Sequence, residues 1–275
     1  MTKAGLFDMH VHTEHSHDSV CPMHDKLEIA CQKGLAGIAI TEHCDIEYDR
    51  RDVDCIRESV DEANYWKPIY KDRLKVLAGV ELGEAIWDLP LANSVLAANE
   101  YDVVIGSVHA AFFEGATEPF SHIDFSTWEN DTIDAYLHQY FADVYKTVEV
   151  VDFDILAHLT CPLRYLTNKK DYHFELAKFE EQIKQILTLL IQKGRTLEVN
   201  CSGYRNAMND AMPNKEILLM YRELGGELIS LASDSHGTTD LAKPLERLVE
   251  LLLECGFEQV VYYENRICHK IDIGA

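Results

Sequence analysis

Seven short segments of the chain each end on residues able to bind a cation. They are Asp8-Met9-His10-Val11-His12, Thr41-Glu42-His43, Gly79-Val80-Glu81, Ser107-Val108-His109, Leu156-Ala157-His158, Glu198-Val199-Asn200 and Ser233-Asp234-Ser235-His236. Imidazole nitrogens and carboxylate oxygens together suit zinc, iron or manganese. A lone histidine at such a position is more often a satisfied polar residue than a ligand. An H-x-H pair alone is only moderately specific. The same pattern at five independent strand ends is hard to reach by chance, so the set as a whole predicts a metal site.

These ends must be brought together by the elements that carry them. Short β-branched runs alternate with longer amphipathic ones. The strands are expected at Leu6–Val11, Gly37–Thr41, Lys75–Glu81, Asp102–Val108, Phe153–His158, Thr196–Asn200, Leu228–Ala232 and Gln259–Tyr263. Helical periodicity falls at Met23–Lys33, Asp52–Lys71, Leu89–Ala98, Thr132–Val150, Glu175–Lys193, Asn214–Leu224 and Asp240–Cys255. Glycine follows four of these helices, at 34, 194, 225 and 256, where a left-handed residue ends a helix. Asp240 is the expected N-cap of the last helix, with Lys243-Pro244 early in it. Strand and helix alternate throughout, which means parallel pairing with right-handed crossovers. Seven or eight such units in one domain spanning 1–275 favour a closed β/α barrel over an open sheet. In a barrel all the strand ends named above converge on one face. His10 and His12, two apart, share a face of their strand. The stretch Phe113–Asn130 lacks periodicity and reads as a loop beside that face.

Composition narrows the chemistry. Hydrophobic residues make up 47% of 275, enough for a full core. No run approaches the ~20 apolar residues of a membrane span, and the first residues lack a signal-peptide apolar region, so a cytoplasmic, unprocessed protein is expected. Eight cysteines are scattered without a C-x-x-C pair and read as free thiols. The net charge of −22 argues against nucleic acid or an anionic membrane as partner. It does not exclude an anionic substrate, because charges beyond a Debye length of ~8 Å are largely screened and bound cations reverse the local field. No Gly-rich phosphate loop or D-x-D-x-[TV] motif is present.

The D-x-H-x-H of residues 8–12, Thr41-Glu42-His43, the His158 segment and Asp234-Ser235-His236 resemble the polymerase and histidinol phosphatase (PHP) superfamily, in the family's order. Three further runs, His12-Thr13-Glu14-His15-Ser16-His17-Asp18, Ile105-Gly106-Ser107-Val108-His109 and Val199-Asn200-Cys201-Ser202-Gly203-Tyr204-Arg205, are most similar to histidinol-phosphate phosphatases of that type. The resemblance implies a distorted (β/α)7 barrel with a trinuclear centre of divalent ions, whether Zn, Fe or Mn. It implies one ion on His10, His12, Glu81 and Asp234. Glu81 would bridge to a second held by His109 and His158, and Asp18, His43 and His236 would hold a third. His15 and His17 compete with Asp18, though the H-T-x-x-S-x-D spacing favours Asp18. Glu84 competes with Glu81 from beyond the strand end, where an outer or loop carboxylate is the better reading. Asp8 and Glu42 would fix imidazole tautomers. His24, His122, His138, His173 and His269 are expected to take no catalytic part.

The same resemblance implies hydrolysis of a small phosphate monoester, L-histidinol phosphate first among them, by a metal-bridging hydroxide. Three divalent ions set against three carboxylates and a hydroxide leave two positive charges, matching a phosphate dianion. Arg164 and Arg205 would clamp that phosphate. Asp45, Glu47 and Asp49 stand where a substrate cation would be received, or are simply solvated surface. The acid that protonates the leaving group is left open between a water on the third metal and a loop histidine, His15 or His17. Other readings are a different monoester, such as a sugar phosphate or nucleotide, and a non-catalytic metal-binding module. C–N hydrolysis on an amidohydrolase-type barrel is weaker, since no lysine ends a mid-barrel strand. Oligomeric state is not legible.

Overall fold

The computed structural model describes residues 5–46, 50–115 and 117–274. Seven parallel strands run in sequence order round one sheet: β1 Phe7–Val11, β2 Gly37–Asp45, β3 Lys75–Gly83, β4 Val103–Ser107, β5 Ile155–Leu156, β6 Thr196–Asn200 and β7 Ile229–Ala232. Helices cross between them: α1 Met23–Gln32, α2 Arg50–Tyr70, α3 Leu89–Ala98, α4 Asn130–Val150, α5 Leu163–Leu166, α6 Leu176–Gln192 and α7 Lys215–Glu223, with α8 Leu245–Glu254 after β7. The sheet closes just beyond the strand ends, where Asp234 N–H donates to His10 O at 2.9 Å and His12 N–H to Ser235 O at 3.0 Å. The expected distorted (β/α)7 barrel is therefore the observed fold. Among the described residues no helix is long and apolar enough to cross a membrane, and none of the cysteines forms a disulfide.

Periodicity explains the helices. In α6 the buried residues are Phe179, Ile183, Ile186, Leu187 and Leu190, one stripe of a 3.6-residue repeat. The helix stops where Gly194 takes φ +64 and its N–H returns to Ile191 O at 2.9 Å. The last helix departs from expectation. Asp240 does not cap it, and α8 begins only at Leu245. Ala242 N–H is instead held by Asp8 Oδ2 at 3.1 Å, so the chain stays in turns up to Pro244. The eighth strand also departs. Gln259–Glu264 pairs antiparallel with Ile267–Asp272 as a separate hairpin, β8–β9, rather than joining the barrel.

That hairpin closes the barrel floor. Val261 and Tyr263 pack inside with Phe7, Met9, Ala39, Leu77, Val103, Ile105 and Ile155. Tyr262 stacks on Phe7 at 4.0 Å, and Tyr263 OH meets Thr196 Oγ1 at 2.8 Å. The lower barrel is thus apolar and filled, which leaves the upper end for polar chemistry.

A bulge in β1 reconciles the two levels. Phe7 pairs with Gly37 and Asp8 with Ile38, but Val11 pairs with Ile40, so the register slips by one residue between them. Met9 can therefore join the inner apolar layer while His12, level with Thr41, also faces inward. The two-apart spacing of His10 and His12 alone would have placed them opposite Phe7 and Met9. A bulge forfeits about one ladder hydrogen bond, ~1 kcal/mol. Burying a methionine is worth about 1.5–3 kcal/mol, so the bulged register wins.

Candidate metal centre and substrate cavity

Strand parity builds the centre. In β2 the inward residues are Ala39, Thr41, His43 and Asp45, and in β3 they are Leu77, Gly79, Glu81 and Gly83, with His43 paired to Glu81 and Asp45 to Gly83. His109 lies beyond β4, and His158 lies two residues past the short β5. Asp234, at φ +52, and His236 follow β7.

All nine expected ligands meet at this end. Glu81, fully buried, lies at the middle. Its Oε2 is 2.8 Å from His43 Nδ1, 3.2 Å from His10 Nε2 and 3.5 Å from His12 Nε2. Its Oε1 is 3.0 Å from His158 Nε2 and 3.1 Å from His109 Nε2. Asp234 Oδ1 lies 3.4 Å from His12 Nε2 and 3.6 Å from His236 Nδ1. Asp18 Oδ2 lies 3.0 Å from His236 Nε2 and 3.6 Å from His43 Nε2. Several donor triads have atoms within 4.8 Å of one another, among them His10–His12–Asp234, His10–Glu81–His158 and His12–His43–His236.

The donor set fits divalent ions. His10 Nε2, His12 Nε2, His43 Nδ1 and Glu81 Oε2 are buried and make no hydrogen bond, although they crowd one another. Orphaned buried polar atoms are costly, ~1–3 kcal/mol each, and bound cations would relieve that cost. The charges are organised the same way. Burial pushes Glu81 up, but His10, His109 and His43 around it hold the carboxyl well below its ordinary range. Burial pulls His10, His43 and His109 down, yet Glu81 and the neighbouring carboxylates raise each well above its ordinary value. His12 goes the other way. Burial, then the facing imidazoles of His236 and His43, hold it well below.

A second layer aims the imidazoles. His10 Nδ1 bonds Glu198 Oε2 at 2.8 Å, and His109 Nδ1 bonds Asp45 Oδ1 at 3.1 Å. Ser16 Oγ donates to Glu42 Oε2 at 2.5 Å, so it accepts from His12 Nδ1 at 3.0 Å and from His43 N–H at 3.1 Å. That network leaves His12 Nε2 with its lone pair facing the centre.

Some expectations are corrected. Asp8 fixes no imidazole. Its carboxylate accepts from Ser233 N–H at 2.8 Å and Ala242 N–H at 3.1 Å, tying down the segment after β7. Glu42 acts on His12 through Ser16, not directly. Asp45 is buried against His109 while lining the cavity, and Glu47 and Asp49 lie outside the described residues. Arg205 does not point to the cavity. Its guanidinium donates to Ser233 O at 2.7 Å, Asp234 O at 3.0 Å and Lys243 O at 3.1 Å. Those carbonyls are acceptors fixed at close range, and they hold Arg205 as a brace for the turn that carries Asp234.

Glu198 and Asp45 support His10 and His109, roles the motifs did not give them, and Lys26 is a neighbour the motifs did not single out. The parity of Glu198 with Asn200 on β6 was a usable signal for the first. Lys26, wholly buried on α1, donates to Ser235 O, Ser235 Oγ and Gly237 O, each at 2.8 Å. Nothing in its local sequence marks it. Glu84 sits beside the centre, accepting from His109 N–H and from Ala110 N–H at 3.0 Å, with burial pushing it up to about 8.

A cavity of about 680 Å³ opens over the centre, walled by the loops after β1, β4, β5 and β7. Arg164 lines it, with Nη1 3.1 Å from Ser202 Oγ and 3.8 Å from Asp234 Oδ2. Phe120 and Tyr165, rings 5.3 Å apart, form an aromatic wall, so the aperiodic loop does lie beside the site. His122 also lines the cavity. Of the other histidines set aside, His24 packs near Trp66, His138 bonds Gln182 and His269 stacks on Tyr262.

Known proteins share this architecture. A histidinol-phosphatase of Lactococcus lactis is 25% identical, with 94% of each chain covered. A Clostridium acetobutylicum protein, named as a probable histidinol-phosphatase, is 26% identical over 95% of this chain and 98% of its own. The crystal structure of histidinol phosphate phosphatase from Lactococcus lactis, complexed with zinc, L-histidinol and phosphate, superposes with TM-score 0.79 at 21% identity, covering 97% of this chain and 99% of that one. The PHP domain family matches residues 8–202. That match carries His10 through His158, and the barrel closure brings Asp234 and His236 to the same cluster. On the length of that match, the chain belongs to the PHP domain family.

Proposed function

We propose that this chain is a metal-dependent phosphomonoesterase that hydrolyses L-histidinol phosphate to L-histidinol and phosphate. The observation that carries this reading is the convergence of five imidazoles on the two oxygens of Glu81. The relatives named as histidinol-phosphatases support the choice of substrate.

His10, His12, Glu81 and Asp234 would hold one divalent ion. Glu81, His109 and His158 would hold a second, and Asp18, His43 and His236 a third. Such ions supply Lewis acidity and an activated water at neutral pH. The protein's own groups do the rest. Asp45 and Glu198 hold His109 and His10 in one tautomer. Arg164, whose guanidinium stays protonated beside Asp234, binds phosphate oxygens and stabilises charge as it builds there. The Phe120 and Tyr165 rings, tilted 45° to one another, offer an apolar wall to the imidazole ring of the histidinol leaving group. Glu14, exposed on the cavity rim, offers a carboxylate to a substrate ammonium.

Elemental analysis with a panel of monoesters tests the reading. The protein is expected to bind zinc, iron or manganese and to release phosphate fastest from histidinol phosphate. Chelation should abolish turnover, and added divalent ion should restore it. A strong preference for a sugar phosphate or nucleotide would remove the substrate assignment. Metal binding with no phosphate release from any monoester would leave a binding module instead.

A further inference from the structure

We propose that His15 is the general acid that protonates the leaving oxygen, and that Glu62 and Trp66 hold it for that task. The proposal rests on the phosphomonoesterase reading and adds the proton donor, which that reading lacks.

An alkoxide is a poor leaving group, so hydrolysis of an alkyl phosphate needs a proton delivered as the ester bond breaks. The donor must line the cavity without being a metal ligand. Arg164 lines it but does not give up its proton. Cys161 and Tyr165 also line it, and burial raises both above their ordinary values, making them weaker acids. His17 is exposed beside His43, rings 5.2 Å apart, and precedes Asp18 directly. His122 is exposed on the opposite loop.

His15 differs from these in being fixed. Its Nε2 lies 2.8 Å from Glu62 Oε2 on α2, and the other oxygen of Glu62 accepts from Trp66 Nε1–H at 2.9 Å. The loop beneath it is pinned as well. Thr13 donates through N–H and Oγ1 to Glu42, the latter at 2.5 Å, and Ser16 Oγ donates to the same carboxylate. With Nε2–H given to Glu62, the ring has one nitrogen left, Nδ1, on a side chain that lines the cavity.

The step balances. The attacking oxygen, arriving as hydroxide, forms the new P–O bond and keeps its proton on the phosphate product, while the ester P–O bond breaks and leaves its electron pair on the alkoxide oxygen. That oxygen takes the Nδ1 proton. His15 is left neutral, with Nε2–H still on Glu62, and the 16% exposure of its side chain lets solvent return the proton.

The test exploits the leaving group. With 4-nitrophenyl phosphate the phenolate departs without a proton, whereas histidinol phosphate and glycerol phosphate release alkoxides. His15→Gln is expected to lower kcat on the alkyl esters by about 10²–10³-fold and to cost less than about tenfold on the aryl ester, at unchanged metal content. Glu62→Gln, which keeps a hydrogen-bonding group, should show the same alkyl-over-aryl bias at smaller size. Equal losses on both ester types, or no loss on the alkyl esters, would overturn the proposal. A wild type active on glycerol phosphate but not histidinol phosphate removes the substrate assignment alone, and the His15 comparison is then read on glycerol phosphate. A wild type that hydrolyses no alkyl ester overturns both.

Discussion

Asp45 Oδ1 reaches His109 Nδ1, 3.1 Å away, across a point on β3 where Gly83 has no side chain. A Cβ on Gly83 would stand 2.1 Å from Asp45 Oδ1 and 3.2 Å from His109 Nδ1. The pair therefore depends on a glycine for space rather than for backbone freedom. Gly83→Ala should push the carboxylate off the imidazole and weaken metal affinity by about 10–100-fold, the usual cost of losing an outer-layer partner. Asp45→Asn should cost a similar amount. The double variant should be no worse than the poorer single one, since both break the same contact. Competition with a chelator of known affinity measures all three, and additive losses would refute the shared-contact account.

Glu198 is more deeply committed. Oε2 holds His10 Nδ1 at 2.8 Å, while Oε1 accepts from His158 N–H at 3.1 Å and Asn200 Nδ2 at 2.8 Å. Glu198→Ala strands several buried donors at once. At ~1–3 kcal/mol per stranded group, it should destabilise the fold by on the order of 3 kcal/mol and release metal as well. Denaturant unfolding of the metal-free protein isolates the first effect. An unchanged midpoint there would mean that Glu198 serves the metal alone.

The fold was legible because hydrophobic period and strand-helix alternation are local signals. The candidate ligands were legible because all of them but Asp18 stand at or just past the end of such a strand. What escaped depends on side-chain direction between distant segments. The β1 bulge turns on which neighbour Val11 chooses, and nothing within residues 7–12 announces it. Asp8 looked like a partner for its neighbouring histidines, yet its carboxylate is taken by Ser233 and Ala242, more than 220 residues away. Arg205 followed a strand end as Arg164 did, but three main-chain carbonyls from the adjoining turns capture it.

The two arginines should separate in experiment. Arg164→Met removes a charge-assisted contact of about 1.5–3 kcal/mol, so the inhibition constant of inorganic phosphate should rise by roughly 10–150-fold with little change in melting temperature. Arg205→Met withdraws donors from Ser233 O, Asp234 O and Lys243 O. It should lower the melting temperature by several degrees and reduce metal retention at Asp234. If phosphate inhibition weakens equally in both variants while metal content holds, Arg205 touches substrate after all.

Lys26 gives the fold a pH signature. Burial lowers it from its ordinary 10.5 to about 8, with Cys21 and Asp8 opposing, because its ammonium is enclosed beneath the turn joining Asp234 to His236. Below pH 8 both folded and unfolded chains carry the proton, and the cost of enclosing the charge is present in full. Between about pH 8 and 10.5 the folded chain has released that proton while the unfolded chain still holds it. The unfolded state then binds more protons, so stability rises with pH, by at most about 1.4 kcal/mol per unit from this group. Lys26→Met removes the titration but also the donors to Ser235 and Gly237. Its stability should therefore lack this rise, and the difference between the two stability curves should widen from pH 8 to 10.5 in favour of the wild type. Parallel curves across that window would mean that the ammonium is better solvated than its enclosure implies.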